Sequence, residues 1–159
     1  MPSNRTFNLT TRADIAIAVL RATTGAIFLA HGAQKLFVFG FAGVTAAFGQ
    51  MGAPLPGVTG PATALVEFFA GLALISGLLT RLSAVGLAIT MVGAISLVHI
   101  GNGFFNPTGV EFPLALLGAT VALAINGAGR YSLDALIARR NSATTEPAIA
   151  TPRATSKAA

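Results

Sequence analysis

The stretch IAIAVLRATTGAIFLAHGAQKLFVF, residues 15–39, decides the fold. Arg21, His31 and Lys35 are its only ionisable residues. At ~1.5 Å per residue, such a run reaches about 37 Å as a helix, more than the ~30 Å hydrocarbon core of a bilayer. Arg12 ahead of an apolar run also fits a signal peptide. Against that, Arg21 interrupts the run, no clean A-x-A cleavage site follows, and further apolar runs come after it. The stretch is therefore read as an uncleaved first span. Thr11 and Asp14 have the spacing of a capping box, which places the helix start near them.

Composition carries the same message across the whole chain. Of 159 residues, 53% are hydrophobic and 9% charged, against roughly 25% charged in an average soluble domain. Mean hydropathy is +0.74. An ordinary soluble enzyme, a disordered chain and a coiled coil are excluded. With no Cys, the chain alone builds no disulfide, thiolate zinc site, Cys-ligated cluster or thiol redox centre. The net charge of +5 raises the question of nucleic acid. Most of the basic residues lie before residue 13 or from Arg130 onward, and no basic face with interleaved aromatics emerges. The charge is read as orienting membrane helices.

Working outward, residues 40–60 form an uncharged Gly- and Pro-rich loop. Inside it, Phe41, Val44, Phe48 and Met51 make a short amphipathic stripe, expected as an interfacial helix. Pro61 suits the first turn of a second span over 61–79. Thr80-Arg81 is a short turn, and 83–100 is a third span. GNGFFNPTG (101–109) is turn chemistry, and 110–125 is a fourth span. Residues 133–140 form a second short interfacial helix, capped by Ser132. The expected fold is an all-α, integral-membrane four-helix bundle over residues 13–140. A polar segment (1–12) and a disordered tail (141–159) flank it. Ala26/Ala30, Ala73/Gly77 and Ala84/Ala88 are small-residue pairs suited to close helix contacts.

Ionisable groups inside spans are functional candidates by default, because a charge in the bilayer is costly. His31 and Lys35 are four apart and are expected to share a helix face. Counted from the expected span ends, Lys35 lies about 6 Å, His31 about 12 Å and Glu67 about 9 Å below one surface. His99 lies near the same end, and Glu111 opens the fourth span. Lys35 and Glu67 are either a structural ion pair or part of a polar headgroup pocket with His31 and His99. Arg21 either snorkels to lipid phosphates or binds an anion. Arg12, Arg81 and Arg130 are topology anchors. Two histidines with one nearby carboxylate and no Cys make a poor metal or haem site, so no metal is expected.

These residues fall in a familiar order. RATTGAIFLAHGAQKLF (21–37), GAPLP (52–56), EFFAGLALISGLLTR (67–81) and GAGRYSLD (127–134) together resemble the DoxX family over about residues 13–140. The resemblance implies a small four-helix bacterial inner-membrane protein, similar to the membrane subunit of a thiosulfate:quinone oxidoreductase. It marks Arg21, His31, Gly32, Lys35, Glu67 and Arg81 as motif positions. The function so implied is a membrane component of an oxidoreductase system. From the placement of the polar residues, it would bind a quinone at His31, Lys35, Glu67, His99 and Arg21, with no covalent cofactor and no assigned catalytic residue. Without Cys, any sulfur redox role falls to a soluble or membrane partner chain. A non-enzymatic scaffold or assembly factor and a small-molecule transporter remain alternatives, and a homo-oligomer is compatible with each. Expected partners are the lipid bilayer and other proteins, not nucleic acid.

Placing positive charge inside puts both termini in the cytoplasm. Reporter fusions after Ala53 and after Arg140 are expected on opposite sides of the membrane. Reporters on the same side would rule out four spans.

Overall fold

The computed structural model describes residues 4–145. They form α1 (Asn4–Ala33), a π turn (Gln34–Phe39), α2 (Gly40–Gln50), α3 (Pro56–Ser76) and α4 (Thr80–Ala94). A second π turn (Ile95–His99), a 3-10 turn (Ile100–Asn102), α5 (Glu111–Asn126) and α6 (Leu133–Thr145) follow. Three helical stretches are long and apolar enough to cross a bilayer: Leu9–Gln50, Pro56–Ser76 and Thr80–Asn102. The fourth, Glu111–Asn126, is shorter, about 24 Å at the helical rise. The protein is an all-helical membrane bundle.

Several boundaries differ from the sequence reading. α1 passes through the Thr11/Asp14 box without starting there. Asp14 instead accepts a hydrogen bond from the Arg130 amide (3.1 Å). The expected 40–60 loop shrinks to the turn at 51–55, because the amphipathic stripe is helical and continues the first helix beyond a break at Gly40. Gly40 has φ 64° and ψ 171°, a combination open essentially to glycine alone. The backbone leaves helical geometry at that residue, and α2 follows it. Pro56 takes the first-turn role assigned to Pro61, which lies inside α3. α6 reaches Thr145, past the expected tail boundary; residues 146–159 lie outside the described region.

α1 packs chiefly on α3, α4 on α5, and α3 joins the two pairs. Phe28, Leu74, Ala84, Leu87, Met91, Leu116 and Leu123 form the core between them. The α1–α3 contact is made by glycines. A methyl group at Gly25 would sit 2.7 Å from the Gly71 carbonyl oxygen, and one at Gly71 would sit 2.6 Å from the Leu29 amide nitrogen. One at Gly32 would overlap the Phe68 backbone. The pair Ala26/Ala30 is exposed on the other side of α1 and takes no part in the α1–α3 contact. α2 extends the hairpin, with Val44 buried against Gly60.

Because the obstacle at Gly32 is backbone, Gly32→Ala is expected to destabilise the bundle by about 1–3 kcal/mol, the usual cost of overpacking. Gly118 lies inside α5 with open space around its Cα. Gly118→Ala should therefore be neutral or stabilising by up to ~1 kcal/mol. Melting in detergent measures both; equal effects would contradict the glycine contact.

Candidate functional site

The line of α1 facing α3 runs through Arg21, Gly25, Phe28 and Gly32. At 3.6 residues per turn, Lys35 lies roughly 40° from that line and His31 roughly 80° from it, on the same side. This difference separates them. Lys35 reaches α3 and forms a salt bridge with Glu67. Glu67 is 4% exposed. His31 is exposed, lining an open recess with Ala30 and Gln34. Because α3 starts at Pro56, Glu67 lies about 16 Å along it, near mid-helix rather than about 9 Å from the end.

A cavity of about 400 Å³ lies beside the ion pair, lined from α2, the 51–55 turn, α3, α4 and the second π turn. Its polar lining is Lys35, Glu67, His99 and the hydroxyls of Thr59, Thr63 and Thr90; the rest is apolar, with Phe48, Ile89 and Leu97 prominent. Lys35 and His99 each fall in a π turn. Such turns interrupt the regular helical ladder and occur often at functional sites. The 3.6-residue pattern of the sequence gave no sign of them. His99 Nδ1 lies 2.7 Å from the Thr108 carbonyl oxygen. A carbonyl only accepts, so Nδ1 carries the proton in that bond. Nε2 is then an acceptor in the neutral ring and a donor in the imidazolium. Thr59, Thr63 and Thr90 were missed as site residues, since hydroxyls in apolar helices ordinarily bond their own backbone. Thr90 does so, to the Leu87 carbonyl (2.7 Å).

Arg21 is not in this cavity and does not snorkel. It is 4% exposed, at the other end of the bundle, and donates to the Tyr131 carbonyl (2.7 Å). Its guanidinium fills the space where a side chain at Gly77 would stand. Gly77, at φ 73°, ends α3. Asp134 accepts from the amides of Leu79 (2.8 Å) and Thr80 (3.0 Å). Arg21 therefore clamps the α3–α4 turn to the segment before α6. Arg81 lies at the same end, against Gly127 and the Ile125 carbonyl, and Arg130 meets Asp14 there. Arg12 precedes Asp14 by about half a turn. Glu111 accepts from the Asn106 amide (2.7 Å) and holds the loop before α5.

Glu67→Gln would leave the Lys35 ammonium without its counter-charge; a fully buried pair would lose about 3–5 kcal/mol, and the 22% exposure of Lys35 places the expected loss at or below the lower end of that range. Adding Lys35→Met should recover part of that loss. Additive losses in a double-mutant cycle, read by detergent melting, would contradict coupling between the two.

Comparison with known proteins matches the DoxX family model over residues 16–100 and the model of TQO small subunit DoxD over residues 62–151. The chain is 33% identical over 124 residues to "Putative oxidoreductase CatD" of Bacillus subtilis, covering 78% of this chain and 88% of that one. It is 32% identical to the inner membrane protein YqjF of Escherichia coli, covering 80% and 95%. It is 31% identical to the membrane protein Rv3486 of Mycobacterium tuberculosis, covering 80% and 85%. No solved structure gives a significant match. An extended family match and relatives aligned over most of their length, joined to an all-helical membrane bundle, place this chain in the DoxX family.

Proposed function

We propose that the chain is the membrane component of an oxidoreductase system and holds a quinone, or a similar lipophilic redox molecule, in the cavity between α2, α3 and α4. One observation carries this reading: Lys35, Glu67 and His99 converge on a cavity that is otherwise mostly apolar. Its size falls within the roughly 300–1,000 Å³ of small-molecule sites. Ile89 and Leu97 line it while remaining 67% and 43% exposed, so it meets the lipid-facing side of α4. A ligand dissolved in the bilayer has a path to it.

Quinone reduction needs hydrogen-bond donors at the carbonyl oxygens and protons delivered to them as electrons arrive. The Lys35 ammonium would donate to a carbonyl, with Glu67 holding it in place. His99 would donate from Nε2 as the imidazolium and become neutral once it gave up that proton. The electrons would come from a partner chain, in keeping with the description of DoxD as a small subunit. In the orientation we propose, the end carrying Arg12, Arg81 and Arg130 faces the cytoplasm of a bacterial inner membrane. The Asp14–Arg130 bond puts the start of α1 and the segment before α6 at that same end.

Titration of the purified protein with a decyl-chain benzoquinone tests the reading. His99→Phe is expected to weaken binding at least ~tenfold, about 1.4 kcal/mol. His31→Gln, outside the cavity, should leave it unchanged. Full binding in His99→Phe, or no binding by the parent protein, would move the assignment to a scaffold.

A further inference from the structure

The ion pair and cavity leave the outward face of α1 unexplained. Ala26, Ala30 and Gln34 point away from α3, with His31 at the edge of that face, and all four are exposed. No hydrogen bond to the side chains of His31 or Gln34 occurs among the described residues. Arg21 marks the level where α3 ends, through Gly77. His31 is ten residues further along α1, about 15 Å, or half the ~30 Å hydrocarbon thickness. An imidazole and a primary amide are thus turned toward lipid near mid-membrane, where no described residue hydrogen-bonds them. The other helices do not share this property. At comparable depth, α3 presents Leu65, Phe69 and Leu72 outward, and α4 presents Val85, Ile89 and Val92.

We infer that this face is the contact between two copies of the chain, packed α1 against α1 about a two-fold axis along the membrane normal. The chemistry of the face is self-complementary. An amide donates and accepts, and a neutral imidazole does both. In a two-fold pair, Gln34 of each copy meets Gln34 or His31 of the other at the same depth, so both polar groups are satisfied without any further protein. Ala30 and Ala26, about one and two turns before Gln34, let the backbones approach closely enough for those bonds to form. An unrelated partner helix would need polar groups at the same height; a second copy supplies them by symmetry. The face lies away from the quinone cavity, so the inference stands independently of the proposed function.

The chain contains no Cys, which makes the test direct. Ala30→Cys puts one thiol on the proposed axis, and Leu72→Cys puts one on the outward face of α3 as a control. In native membranes treated with copper–phenanthroline, Ala30→Cys should give a disulfide-linked band of twice the chain mass. Leu72→Cys should give none. Adding His31→Leu and Gln34→Leu to Ala30→Cys should reduce the band at least ~tenfold and shift native mass spectra to the monomer, with detergent melting of the monomer unchanged. Three results would each overturn the inference: no band from well-folded Ala30→Cys, a band of equal strength without His31 and Gln34, or a crosslink to a different protein.

Discussion

The approach of α1 to α3, backbone against backbone, is the constraint on which the site depends. Gly25, Gly32 and Gly71 bring the two helices closer than side chains at those positions would allow. Close approach lets Lys35 reach a carboxylate near the middle of α3. That carboxylate is 4% exposed and has no place in an apolar bundle without a counter-charge. The pair contributes little net stability over a well-packed apolar substitute. Its significance is positional: it keeps a cation and an anion at the wall of a cavity.

The two ends of the bundle use charge differently. At one end Arg21, buried and clamped between Gly77 and the Tyr131 carbonyl, ties the α3–α4 turn to the chain leading into α6. Leu79 in that turn has φ 48°, a costly conformation for a non-glycine residue. Asp134 holds its amide and that of Thr80. At the other end Lys35, Glu67 and His99 surround open volume. Packing closes the first end, and the second keeps a cavity beside the ion pair.

Two π turns give that half its shape. The first carries Lys35 and leads through the glycine break at 40 into α2, and the second carries His99. Neither lies in a regular α-helix, and both line the same cavity. The α2 segment and the turn after it roof this space with Phe48, Met51, Ala53 and Pro54.

Residue composition and apolar run lengths determined a membrane bundle, because a chain with 9% charge and helix-length apolar runs satisfies its backbone in lipid only as helices or a closed barrel. The motif order pointed to the family. Spacing and depth paired Lys35 with Glu67. The tertiary structure decided which way each polar residue faces. His31 and Lys35, four residues apart, differ by only about 40° around the helix, yet the glycine contact lies closer to Lys35, so one reaches the cavity and the other turns outward. His99 joined the site through a π turn, which leaves no trace in apolar periodicity. Arg21 became a clamp because its acceptor, the Tyr131 carbonyl, is 110 residues away. That proximity exists only once the helices have packed.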